Sequence, residues 1–157
     1  MSTVSRRTDA RGKLPRMGAA GPLADLPDEY WRVPYAGARY PGAAARGDLA
    51  GGANCQLWAY EVLAYFGLVV PDFRSDELWR DTVATRHVDQ PEALDLVLYN
   101  ADHSAFGAHV GLWAGDAVAH LCQEVGHPVL WSPADFKARP RYAVQVGVKR
   151  PVSRSRR

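Results

Sequence analysis

Gly51-Gly52-Ala53-Asn54-Cys55-Gln56-Leu57-Trp58-Ala59-Tyr60 is the stretch on which the reading of this chain turns. Two glycines soften a loop that runs into Asn54, whose short amide suits the N-cap of a helix. Leu57 to Phe66 contains neither Pro nor Gly, and Ala59, Val62, Leu63 and Phe66 fall on one face at helical spacing. Gly67 supplies the stop. Cys55 therefore belongs to the first turn of a largely buried helix, where unpaired N–H groups and the helix dipole favour an anion. A thiol there is expected to ionise more easily than in a neutral setting, and the thiolate is the nucleophile. A helix-start cysteine alone is better read as a small apolar residue, so its meaning depends on the partners that the downstream strands supply.

Length and composition bound the possibilities. A chain of 157 residues is one domain with room for a real core, and 47% hydrophobic with 23% charged residues is ordinary for a globular protein. The net charge of +2 hides an asymmetry. Five basic residues lie in 1–16 and five in 149–157, leaving 9 basic against 16 acidic residues between 17 and 148, a balance near −7. An acidic body argues against a nucleic-acid-binding domain, which needs clustered Lys and Arg. No stretch approaches the ~20 continuous apolar residues of a membrane span. Met17 to Ala24, weak in hydrophobicity and broken by Pro22, does not read as a signal peptide, so a cytoplasmic protein with Cys55 and Cys122 reduced is expected.

Along the chain, residues 1–27 read as a flexible basic arm, 28–149 as the folded domain and 150–157 as a basic disordered tail. Val33-Pro34-Tyr35-Ala36-Gly37 is an extended entry segment, and 41–53 a Gly/Ala-rich loop. After the Cys55 helix, Ser75-Asp76-Glu77 marks a short helix with Ser75 as cap. Strands are expected at Leu94–Tyr99, His109–Trp113, Ala117–Leu121, Val129–Trp131 and Tyr142–Val148. Ser132-Pro133 opens a short helix to about Lys137. A helix followed by strands on short turns gives an α+β fold with an antiparallel sheet.

His109 and His120 lie on strands joined by the tight Gly115-Asp116 turn, which can place both imidazoles on one side of the sheet. A helix N-terminus packed against that side brings Cys55 within reach of His109. Thiol catalysis needs this order: a thiolate, a general base beside it, and a third polar group that fixes the imidazole tautomer. A single strand histidine is more often structural; two on adjacent strands with a helix-start cysteine form a more specific pattern.

Over residues 30–150 the sequence resembles the NlpC/P60 peptidases, cysteine hydrolases of papain-like fold that mostly cut cell-wall peptides. Val33 to Gly37 is similar to the family's entry segment with its Tyr. Gly52-Ala53-Asn54-Cys55-Gln56-Leu57 stands where the family has Gly-x-Asp-Cys-Ser-Gly. Glu92 to Tyr99 resembles Pro-Gly-Asp-Leu-Val-Phe-Phe, and Ala108 to Gly115 resembles Ser-His-Val-Gly-Ile-Tyr-Leu-Gly. Ala117 to Leu121 matches the strand whose polar residue orients the base. The resemblance implies Cys55 as nucleophile, His109 as general base and His120 as its orienting partner. Asn54 for Asp keeps the cap and removes a charge, while Gln56-Leu57 for Ser-Gly makes a bulkier, differently polar cleft wall. The loop from Tyr35 to Cys55 is longer than usual, so the family's Tyr corresponds to Tyr35 or to Tyr40.

Zinc is the main competing chemistry, because His103, His109, His120, Cys122 and His127 crowd into 25 residues. No pair has CxxC or HxxxH spacing, so no metal is assigned. The expected protein is a monomeric cysteine hydrolase of papain-like NlpC/P60 fold, its Cys55 helix packed on an antiparallel sheet. It would cut an amide bond in a small peptide or amide through a thioester, without cofactor. Catalysis is assigned to Cys55, His109 and His120, and the oxyanion and substrate-binding side to Tyr35, Asn54 and Gln56, with the Cys55 N–H as oxyanion donor. Acyl transfer, and a catalytically drifted binding module of the same fold, are the alternatives.

Overall fold

The computed structural model describes residues 21–152. Helix α1 spans Cys55–Tyr65, and the Asn54 side chain caps it by accepting the Leu57 N–H at 2.8 Å. It ends at Phe66, and Gly67 takes φ +84°, where a Cβ would be strained. The sequence reading buries one stripe of this helix. In the structure every residue from Gln56 to Leu63 is enclosed, Gln56, Tyr60 and Glu61 included. Their polar groups are each met by a distant segment. Trp58 Nε1 donates to Tyr30 O at 2.7 Å, Gln56 Nε2 and Tyr60 Oη each donate to Phe73 O at 3.0 Å, and Glu61 pairs with Arg46 at 2.6 Å.

Helix α2 is Ser75–Arg80 and α3 is Pro133–Lys137. For α2 the cap lies one residue earlier than Ser75, because Glu77 Oε1 accepts the Arg74 N–H at 2.9 Å. Ser132 caps α3 as its sequence indicates. The strands are β1 Thr85–Val88, β2 Leu96–Asn100, β3 His109–Trp113, β4 Val118–His120, β5 Val129–Trp131 and β6 Val144–Pro151. They form one six-stranded antiparallel sheet in the order β1-β6-β2-β3-β4-β5. Strand β1 escapes the sequence reading because Arg86 and His87 face solvent and leave no apolar alternation. Strand β2 begins late because Leu94 sits at φ +74° and Asp95 is tied into a turn, accepting the Glu92 N–H at 2.7 Å and pairing with Arg150 at 2.8 Å. Strand β6 begins late because Tyr142 closes a 3-10 turn at Pro140–Tyr142.

The sheet has a core on each face. Leu96, Leu98, Val110, Leu112, Ala119 and Leu121 pack with α1. Val97, Tyr99, Val118, Trp131, Phe136, Tyr142 and Val148 form the second cluster. Leu23 and Leu26, within the stretch that reads as a basic arm, are buried in the first core, and β6 runs to Pro151. The rest of the arm, 1–20, and the tail from 153 lie outside the described residues. Among the described residues no helix is long and apolar enough to cross a membrane.

The Glu61–Arg46 contact ties the long loop before Cys55 to the middle of α1, with Gly47 N–H donating to Glu61 Oε1 at 3.0 Å and Arg46 also reaching Val70 O and Asp72. Arg46→Ala leaves a buried carboxylate with half its partners and should cost about 2 kcal/mol. Arg80→Ala, which breaks only an exposed pair with Asp76, should cost about 0.5 kcal/mol or less. Urea denaturation of both variants tests the contrast; equal losses would show that the loop is not held through Glu61.

Candidate active site

Asn54 and the first turn of α1 are set by the loop that precedes them. The chain pairs with itself in a parallel bridge, Tyr35 opposite Ala53, with Ala53 N–H donating to Pro34 O at 3.1 Å and Ala36 N–H to Ala53 O at 2.8 Å. Gly52, at φ +93°, makes this possible, since a Cβ there would lie 2.7 Å from Pro34 O. The bridge carries Tyr35 to the mouth of the helix. Of the two candidate tyrosines, Tyr35 lines the cavity in front of Cys55, whereas Tyr40 lies under the Arg74 guanidinium, 4.0 Å from ring centroid to Cζ.

His109 and His120 share the sheet face turned away from α1, within the second aromatic cluster. The expectation that α1 packs on the histidine side is therefore corrected: strand alternation puts Val110, not His109, toward the helix. His109 is the first residue of β3 and reaches the cavity at the end of the sheet, where Cys55 also opens onto it. Val110 N–H lies beside the thiol and favours its anion, which fixes the thiol next to the start of β3.

His109 Nε2 and His120 Nδ1 are 2.8 Å apart, with the rings nearly perpendicular at 88°. Around them stand Tyr142, 4.7 Å from His109, and Trp131 and Phe136, 4.3 and 4.7 Å from His120 between centroids. The strand between the histidines must be bare. A Cβ on Gly111 would lie 2.5 Å from Val118 Cγ1 and 3.1 Å from His120 Cβ. Gly111 thus clears the space in which His120 approaches His109, a role the sequence signals only by the same-face spacing of 109 and 111.

The cavity holds about 490 Å³ and is lined by Cys55, His109, Tyr35, Asn54 and Gln56 together with residues not assigned to the site from the sequence, among them Arg74, Cys122, Arg141 and Tyr142. His120 stands behind His109, fully buried. Gln56 has its amide nitrogen committed to Tyr60 and Phe73, so it shapes the wall through those contacts. Cys55 and Cys122 are both free thiols on this one cavity. Among the described residues no three His, Cys, Asp or Glu side chains gather as a metal site.

Protonation departs from the sequence expectation. Burial pushes the Cys55 thiol up, and the N–H groups of Val110, Gln56 and Cys55 itself offset this only in part. Burial, with the Arg141 charge added, holds His109 down at about 3, and His120 is also held well below the ordinary imidazole range. The helix-start effect on the thiol is real in sign but smaller than the desolvation of the half-buried thiol. Burial thus biases each group toward its neutral form.

No family model matches this chain, and no curated protein does. Among solved structures it is similar to a NlpC/P60 family protein from Bacillus cereus, at 19% identity and a TM-score of 0.51 over 74% of this chain and 36% of that one. It is also similar to the P60 domain of an antigen from M. avium subspecies paratuberculosis, at 19% identity and a TM-score of 0.51, over 82% of this chain and 90% of that domain. The chain spans about a third of the length of the Bacillus cereus protein. These likenesses define the fold: a mixed helix and antiparallel-sheet architecture of the papain-like NlpC/P60 type, with Cys55 at the start of its helix.

The buried histidines make stability depend on pH. A histidine whose folded pKa lies below its unfolded value of ~6.5 binds fewer protons when folded, so stability is present above that pH and is lost as pH falls toward the folded pKa. The melting temperature should therefore drop steadily below pH 6.5, and His109→Gln should flatten that drop; an unchanged slope would mean the imidazole is not held neutral. Gly111→Ala should cost about 1–3 kcal/mol by overpacking against Val118 and His120. The His120 ring resonances should shift with it in NMR spectra.

Proposed function

We propose that the chain is a cysteine hydrolase that cuts an amide bond in a small peptide or related amide. The observation that carries this reading is the convergence of Cys55 and His109 on one cavity, with His109 Nε2 hydrogen-bonded to a fully buried His120. His109 Nε2 is engaged, so its Nδ1 is the atom that takes the thiol proton. As the proton moves, Cys55 Sγ bonds to the carbonyl carbon and the carbonyl electrons pass to oxygen. The Cys55 backbone N–H at the helix start, with the Tyr35 hydroxyl, receives that oxyanion. His109 then gives its proton to the leaving amine as the C–N bond breaks, leaving a thioester. Water, deprotonated by the same Nδ1, releases the acid and restores the thiol. His120 accepts from His109 throughout and supports the imidazolium charge.

The neutral thiol–imidazole pair gives the second reading, a ligand-binding module of the same fold, its specific support. Alkylation at pH 6 does not separate the two, because burial lowers thiol reactivity in either case. Turnover does. Against a panel of peptide amides, Cys55→Ala should abolish hydrolysis and His109→Ala should reduce it by about 10³-fold or more. His120→Ala should cost less, about 10–100-fold, since it loosens orientation without removing a reacting group. Binding of panel members with no turnover by the wild-type chain would establish the module instead.

A further inference from the structure

We propose that the cavity beside Cys55 takes a ligand carrying a carboxylate, held by Arg141 with Arg74 as a second cationic contact; this deepens the hydrolase reading by giving its substrate a negative charge. The two arginines come from separate elements, the 3-10 turn Pro140–Tyr142 and the residue before α2, yet both line the cavity and both are exposed. Arg141 lies beside the reacting groups. Its Cζ is 5.1 Å from the Tyr142 ring centroid, and that ring is 4.7 Å from His109. Its charge reaches His109 and Tyr35.

Neither guanidinium has a carboxylate partner among the described residues, although the body carries more acids than bases. The nearby acids are already engaged. Glu124, which also feels Arg141, accepts Arg139 Nε on both oxygens at 3.0 Å. Asp76, the cavity's own acid, pairs with Arg80 at 3.5 Å, and Asp72 pairs with Arg46 at 3.0 Å. Glu77 is turned back to the Arg74 N–H, while the Arg74 Cζ lies over the Tyr40 ring. Arginine offers planar paired donors that match a carboxylate, and two left open on one cavity in the acidic body of the chain form a local anion-attracting field.

The test compares two alkylating reagents of nearly equal size on the full chain. Iodoacetate carries the carboxylate, iodoacetamide is neutral, and both lose iodide to the Cys55 thiolate at one fixed pH, so the thiolate fraction cancels in their rate ratio. Modification is mapped by peptide mass to separate Cys55 from Cys122. The iodoacetate-to-iodoacetamide ratio should fall about tenfold in Arg141→Gln and further in the double variant with Arg74→Gln. Arg86→Gln, on exposed β1, should not change it. A ratio unmoved by both cavity arginines overturns the inference. Glutamate and glutamine forms of one peptide amide then report on the substrate: a kcat/KM preference for glutamate that Arg141→Gln removes supports the proposal, and hydrolysis of both forms alike overturns it while leaving the hydrolase reading intact. A shifted alkylation ratio without any hydrolysis supports the anion site and removes the hydrolase reading instead.

Discussion

A helix buried on every side has nowhere to send its polar groups except into the rest of the protein, and α1 is such a helix. An unpaired buried donor or charge costs as much as several good apolar contacts provide. Trp58, Gln56, Tyr60 and Glu61 therefore each recruit a segment distant in sequence: Tyr30, Phe73 and the Arg46–Gly47 corner. Phe73 immediately precedes Arg74, Ser75 and Asp76 of the cavity lining, and the Tyr30 and Arg46–Gly47 contacts hold the chain on either side of Tyr35 in sequence. The Arg74 end of α2 follows directly on the Phe73 contact, while the bridge of Tyr35 with Ala53 is held by its own backbone hydrogen bonds. One side of the wall around Cys55 is thus placed by satisfying α1, and the glycine at 52 is what lets two backbone segments close onto its first turn.

The sheet imposes the second constraint. Its alternation sends Val110 toward the helix and His109 away, so the thiol and the imidazole can meet only where the sheet ends. The aromatic cluster that seats the histidines also keeps water from them, and that is what makes them poor bases at rest. A thiol held up and an imidazole held down do not form a resting ion pair. In the proposed chemistry, proton transfer then belongs to the moment of attack, when the developing oxyanion and the approaching carbonyl favour the charged pair that the empty site disfavours. In that chemistry burial lowers indiscriminate thiol reactivity and leaves the proposed route to a thioester open.

Much of this was legible in the sequence because local rules governed it. Asn54 as cap, Gly67 as stop, the Gly115-Asp116 hairpin and the Ser132-Pro133 helix start are each decided within a few residues. The α+β class and the nearness of His109 to His120 followed from them. What was not legible depends on contacts across the chain. The side of the sheet that α1 chooses is set by total apolar packing on two faces, and Leu96 to Tyr99 is apolar on both, so its pattern names neither face as the helix side. Strand β1 is polar where it is exposed and is recruited by β6. The direction of the thiol shift depends on how completely the first turn of α1 is enclosed, which no local motif encodes. The two cavity arginines are ordinary surface residues until the fold brings them to one cavity.

The buried face of His120 bears on which nitrogen of His109 is free. His120 Nε2 has no hydrogen-bond partner among the described residues and lies in a box of Trp131 and Phe136 rings. Either tautomer leaves this atom unpaired, but not at equal cost. An N–H is tolerated by the electron-rich face of an aromatic ring, whereas a bare nitrogen lone pair is repelled by it and finds no donor there. The box thus favours the proton on Nε2 of His120. Its Nδ1 must then accept, so His109 donates through Nε2 and keeps Nδ1 unprotonated. In the proposed chemistry that is the state a base needs before it can take a proton from Cys55, and an aromatic wall selects it, with no carboxylate in contact with either ring among the described residues.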